Sequence, residues 1–235
     1  MIWMILGASL QDPGNYSFDY KLLDGDMEQV RLLDRTVDFG KWEIKPTVQW
    51  QSGRHVDPAN VPTRVRMLYS RTGSPVSRGE VNLPDYIVTA GAQIVSGSFK
   101  EILQAYDPGQ HQFLPVSLEW GNGEDVGRIY FWMAPGKRLF ALDAEQTKPP
   151  MLEMPSGPDW ISPDPERPAM RFDTVAPADT WQPVFLAHKV GDTGLFCDGE
   201  MSKFIFISDR LRRALEDAGM NGYRLRGPFQ ISAAF

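Results

Sequence analysis

Apolar and polar positions along the chain follow two rhythms, and the clearest passage from one to the other lies between Lys203 and Arg226. Phe204 to Ile207 is a short apolar run of the kind a buried strand needs. Ser208 follows, placed to cap a helix by accepting a bond from a free backbone N–H. Leu211, Ala214, Leu215 and Ala218 then fall at i, i+3, i+4 and i+7, which puts them on one face of a helix. Arg210, Arg212, Arg213, Glu216 and Asp217 take the wet side. Gly219 supplies a left-handed stop and Gly222 a second turn before Tyr223-Arg224-Leu225 resumes as strand. The pattern therefore predicts strand, capped helix over Asp209 to Ala218, glycine turn and strand, with Leu211 and Leu215 in the core.

The same pattern occurs earlier in the chain. Ile94-Val95-Ser96 leads into GSFKEILQAY, where Phe99, Ile102, Leu103 and Tyr106 repeat the helical spacing. Aligning Ser96 with Ser208 puts Phe99 on Leu211, Leu103 on Leu215 and Lys100 on Arg212. Two readings of the first cap stay open, because Ser98 with Glu101 also makes an S-x-x-E capping box. Two copies are too few for a solenoid, and any two capped amphipathic helices share this spacing.

Most of what remains reads as strand. Met1 to Leu10 is taken as a first buried strand, since it lacks the basic start and cleavage site of an export signal. Asp12 to Asn15 is a turn cluster, and Phe18 to Leu23, Val37 to Phe39, Val48 to Trp50 and Val65 to Tyr69 are short strands. Phe113 to Trp120 and Arg128 to Met133 flank GNGEDVG, which has the Gly and Asn content of a hairpin loop. Leu139 to Leu142, Val184 to Ala187 and Leu195 to Cys197 complete the set. Nine of the nineteen prolines lie between Lys148 and Pro183, so that segment is expected to be extended, pinned by Trp160, Phe172 and Trp181. The expectation is one α+β domain over residues 1–235, mostly antiparallel sheet with two principal helices, at 98–106 and 209–218. Residues 1–82 form its strand-rich lead-in.

Composition narrows the function. At 235 residues and 42% hydrophobic content the chain can bury a sizeable core. A net charge of −6 argues against a phosphate backbone as main partner and suits a basic protein. No apolar run is long enough to span a bilayer. The single cysteine, Cys197, leaves no internal disulfide and fits the cytoplasm.

Few residues form a pattern that carries chemistry. His55, His111 and His188 have no metal-ligand spacing, and no G-x-S-x-G, P-loop or G-x-G-x-x-G motif occurs. Neither a metal nor a cofactor is expected. A Cys197–His188 pair is the most tempting nucleophile, yet Leu195-Phe196 before it reads as a buried strand around an inert thiol. His111, between two glutamines, reads as a hydrogen-bonded loop residue. Exposed aromatics and acidic loops around Glu124, Asp125, Asp143, Glu145, Asp164 and Glu166 instead suit a binding surface with a steering rim. Exposed β edges leave a homodimer open.

One series of residues resembles a known family. It runs through Leu83-Pro84-Asp85, Ile94-Val95-Ser96, Tyr106 to Val116 (YDPGQHQFLPV), Ile129 to Trp132, Ile207 to Leu211 and Ala218 to Tyr223. These resemble bacterial proteins first catalogued as uncharacterised and later predicted to be immunity proteins of polymorphic toxin systems. The resemblance spans roughly Leu83 to Tyr223. It implies an α+β protein that binds and neutralises a cognate toxin domain, specified by a neighbouring gene, in the producer's cytoplasm. It brings no catalytic residues. Two other classes stand beside it: a small hydrolase or transferase with a loop-built site, and an accessory binding protein of phage or secretion machinery.

Overall fold

The structure is a computed structural model that describes residues 1–8, 18–33, 50–69, 74–79, 81–153, 170–172, 177–201 and 204–232. In chain order the first half contributes β1 (Ile2–Gly7), β2 (Phe18–Leu22), β3 (Arg64–Tyr69), β4 (Tyr86–Thr89), β5 (Ala92–Ser96), α1 (Gly97–Tyr106), β6 (Gln112–Glu119) and β7 (Tyr130–Ala134). Next come β8 (Arg138–Leu139), β9 (Leu152–Glu153), β10 (Met170–Arg171), β11 (Val184–Leu186) and the helical turn α2 (Ala187–Val190). The chain closes with β12 (Leu195–Asp198), β13 (Ile205–Ser208), α3 (Asp209–Asp217) and β14 (Tyr223–Ser232).

The α+β class follows the sequence pattern, and the strands form two six-stranded sheets. One has the order β2-β3-β6-β7-β5-β4 and the other β11-β14-β1-β13-β12-β8, with β9 and β10 paired separately. Most neighbours are antiparallel, while β3–β6, β11–β14 and β8–β12 are parallel. Parallel neighbours need long crossovers, which local sequence does not reveal.

The two sheets are built alike. Tyr86 pairs with Val95 as Leu195 pairs with Ile207. Ser96 pairs with Tyr130 as Ser208 pairs with Ile2, and Phe113 with Met133 as Leu225 with Ile5. The parallel pairs match too, Arg64 with Ser117 and Val184 with Gln230. Backbone bonds outside the ladders repeat in the same way. Ser96 N–H donates to Asp85 O at 2.9 Å and Ser208 N–H to Gly194 O at 2.8 Å; Gly97 N–H donates to Ile129 O at 2.9 Å and Asp209 N–H to Met1 O at 3.1 Å. The repeated unit is thus four antiparallel strands, a helix, and a parallel outer strand. One member is out of chain order: β7 follows β6 through a hairpin, whereas its counterpart β1 is the first strand of the chain. The molecule is a circularly permuted internal repeat in which β1 completes the second copy.

Each helix starts for the same reason. Ser96 Oγ accepts from Phe99 N–H at 3.2 Å and Ser208 Oγ from Leu211 N–H at 3.3 Å. Ser96 rather than Ser98 is therefore the first cap. Phe99 and Leu103 from α1 meet Leu211 and Leu215 from α3 in a central cluster with Ile5, Val95, Met133, Ile205 and Ile207 from both sheets. Alternation along the strands sends the other residues outward. Ile94, Tyr130 and Trp132 join one outer cluster around Trp50, and Ile2, Met4 and Phe206 join another around Phe185.

Other differences are local. The expected strand Leu139 to Leu142 shrinks to β8, and Leu142 makes only a single bridge to Phe185. Phe172 and Trp181 do pin the proline-rich segment, their rings 5.4 Å apart in the second outer cluster. Asp12 to Asn15, Val37 to Phe39, Val48, Gln49, Trp160, Asp164 and Glu166 lie outside the described residues.

Candidate partner-binding surface

The repeat makes the exposed sides of the two helices directly comparable. On α3, Arg212 lies over the Trp3 ring, 4.9 Å from its centroid, and its Nε is 2.9 Å from Asp209 Oδ1. Its other end pairs with Glu216, and Trp3 Nε1–H donates to Asp209 at 3.0 Å. Arg213 pairs with Asp209 at 2.7 Å and Arg210 lies over the Tyr106 ring at 4.6 Å. An open hollow lined by Tyr106, Asp209, Arg210, Arg213, Ala214 and Asp217 results, its cations largely occupied by their neighbours. On α1, Lys100 takes the place of Arg212 and sits 3.9 Å from the Phe131 centroid and 5.5 Å from that of Phe113. Those rings meet edge to face at 6.4 Å, and Ile129 beside them is 69% exposed.

The acidic loop residues divide into two kinds. Glu124 and Glu145 are exposed. Asp125 closes the β6–β7 hairpin by accepting from Ser117 Oγ and Gly127 N–H, each at 2.6 Å, and those bonds hold its carboxyl below the usual range. Asp143 is 8% exposed. Its oxygens accept from Glu145 N–H, Gln146 and Ser232 Oγ, so this carboxylate organises the loop after β8. Glu124 and Asp125 belong to one sheet and Asp143 and Glu145 to the other.

The groups with a catalytic look are occupied structurally. His111 Nδ1 accepts from Gly136 N–H at 3.2 Å, which leaves Nε2–H to donate to Asp107 Oδ2 at 3.2 Å. Asp107 also accepts from Gly194 N–H at 2.8 Å and Leu195 N–H at 2.7 Å, tying the loop after α1 to the start of β12. The other copy reciprocates: Asn221, after α3, accepts from Asp85 N–H and Tyr86 N–H at the start of β4. Burial pushes the Cys197 thiol up to about 12, and its supposed partner His188 is exposed on α2. A thiol in that state is no nucleophile at neutral pH. Among the described residues no cluster of His, Cys, Asp and Glu suits a metal ion.

The sequence profile of the Imm11 immunity protein family matches residues 26–227. The chain belongs to the Imm11 family. A search of curated proteins gives no match. The Imm11 match runs further than the resemblance from Leu83 to Tyr223, taking in most of the strand-rich lead-in. It leaves out all of β1 and β2 and the end of β14, and so the strand that completes the second copy. No helix among the described residues is long and apolar enough to cross a membrane.

Among the described residues Trp50, Trp120, Trp132 and Trp181 are buried and supply core rather than surface. Phe113, Phe131 and Lys100 are half-buried and stay partly accessible. Their sequence signals are the alignment of Lys100 with Arg212 and the place of Phe113 and Phe131 in stretches that carry the family resemblance.

Proposed function

We propose that this Imm11 protein is a stoichiometric inhibitor, binding the toxin domain specified by a neighbouring gene and neutralising it in the cytoplasm of the producing cell. The family match over residues 26–227 carries the reading. The inhibitor works by occlusion rather than by chemistry, in keeping with an Asp107–His111 pair used as a structural tie and a Cys197 thiol kept protonated. A contact of standard size, roughly 1,600 Å² in total, is enough for tight binding. The chain acts as one folded unit.

Charge steers the encounter. With a net charge of −6 and exposed Glu124, Asp125 and Glu145, the protein attracts a basic toxin domain, with Asp143, Asp164 and Glu166 adding to the field. Neutralising Glu124, Asp125 and Glu145 together lowers the association rate at low salt and flattens its salt dependence. An unchanged rate at low salt removes the steering component. The reading as a whole is tested by co-expression with the neighbouring toxin domain, where growth is restored and a complex co-purifies. Failure of both refutes it.

A further inference from the structure

The internal repeat supplies its own control for the surface around Lys100. Both copies place a cation over an aromatic ring on the strand beneath the helix, Lys100 over Phe131 and Arg212 over Trp3. In the second copy two carboxylates finish the arrangement, Asp209 at the first position of α3 and Glu216 one turn beyond Arg212. The equivalent positions of α1 hold Gly97 and Gln104, which carry no charge. Among the described residues Lys100 makes no ion pair, and its ammonium rests over two rings. Ile129, whose carbonyl accepts from Gly97 N–H, stands beside it with most of its side chain in water.

A cation on an aromatic pair next to an exposed aliphatic residue is an anchor site with a polar handle. We infer that Lys100, Phe113, Phe131 and Ile129 form the docking spot for the toxin domain. Its occupant is an acidic-apolar element of that domain: a carboxylate that pairs with Lys100, as Asp209 and Glu216 pair with Arg212, beside an apolar side chain that covers Ile129 and Phe131. This rests on the immunity reading and names where the partner sits. A basic domain steered in by the acidic loops needs only one local carboxylate here.

The test supplies the missing counter-charges from within. Gly97→Asp with Gln104→Glu copies the α3 arrangement into α1. Gly97 tolerates a side chain, since an added Cβ comes no nearer than 3.8 Å to Ile129, and an aspartate suits a helix N-terminus. The pair, together with Lys100→Glu and Ile129→Asp as separate variants, is titrated against the purified toxin domain by calorimetry, with melting temperature as the check on folding. Lys21→Glu, at an exposed position of β2, matches the two-unit charge change of the Gly97/Gln104 pair and of Lys100→Glu, exceeds that of Ile129→Asp, and is the control. Desolvated charge pairs at interfaces lead us to expect binding weaker by about tenfold or more for each test variant, with Lys21→Glu within about twofold of wild type. Wild-type binding with all test variants retaining full affinity overturns the docking spot and leaves the immunity reading standing. No binding by the folded wild-type protein overturns both.

Discussion

Asp107→Asn strikes the tie between the two copies. The carboxylate accepts from Gly194 N–H at 2.8 Å, Leu195 N–H at 2.7 Å and His111 Nε2–H at 3.2 Å. Asparagine keeps one acceptor oxygen and turns an NH₂ toward at least one donor it cannot satisfy. Hydrogen bonds to a charged group contribute about 1.5–3 kcal/mol, and a stranded buried donor costs about 1–3 kcal/mol, so a loss of about 3 kcal/mol is expected at pH 7. The pH dependence has a definite sign. Burial by itself raises the Asp107 carboxyl, but the bonds from His111, Gly194 and Leu195 outweigh it and hold the folded value below the ordinary range. An unfolded aspartate titrates near pH 3.9, on the order of the model-peptide value, so the stabilisation is fully present above that and lost as pH falls through the lower folded value. Asparagine does not titrate, so the gap between wild type and variant is constant near neutrality and narrows in acid. Urea unfolding followed by tryptophan fluorescence at pH 7 and in steps below pH 4 reads both quantities. A loss under about 1 kcal/mol at pH 7, or a gap that persists in acid, would refute the assignment of this carboxylate as a charged tie.

Three further outcomes are expected. Leu215→Ala removes a fully buried side chain from the central cluster and lowers unfolding free energy by about 2–5 kcal/mol. Protection from the toxin should fall only as the folded fraction falls, and a stable, folded but unprotective variant would place α3 at the interface. Cys197 should resist iodoacetamide at pH 8 in the native protein and react on addition of denaturant, because burial keeps its thiol protonated; rapid native labelling would contradict that. A circular permutant that links the C-terminus to Met1 and opens the chain between Ala8 and Phe18 restores β1 to the order β7 has in the first copy. It should fold with the spectrum of the parent and unfold in a single transition, and an unfolded permutant would count against the repeat.

Local elements were legible from residue order because the forces behind them act over a few positions. The spacing of Phe99, Leu103, Leu211 and Leu215 predicts two helices, and Ser208 predicts its cap, since a side-chain oxygen reaches only the N–H groups of the next turn. The hairpin around Glu124 and Asp125 was readable from its glycines in the same way. The resemblance carried by HQFLPV and the two helix starts was readable too, and it led to the family. Even the likeness of the two strand–helix units could be seen, although its meaning could not.

Tertiary structure decided what distant residues do to one another. Nothing local makes β1 the partner of β13 and β14, yet that pairing turns two similar segments into a permuted repeat. Burial divides the acidic residues, sending Asp143 inward to bind Ser232 while Glu124 stays in water. The clearest case is the pair of helices with which the pattern began. They share spacing and cap, and a cation falls at the same place in each. The carboxylates beside Arg212 come with its own helix, but only the fold sets Arg212 over Trp3 and leaves Lys100 on Phe131 beside an open Ile129. The hydrophobic period specifies which face goes inside, while the free energy left on the outer face depends on neighbours that arrive from elsewhere in the chain.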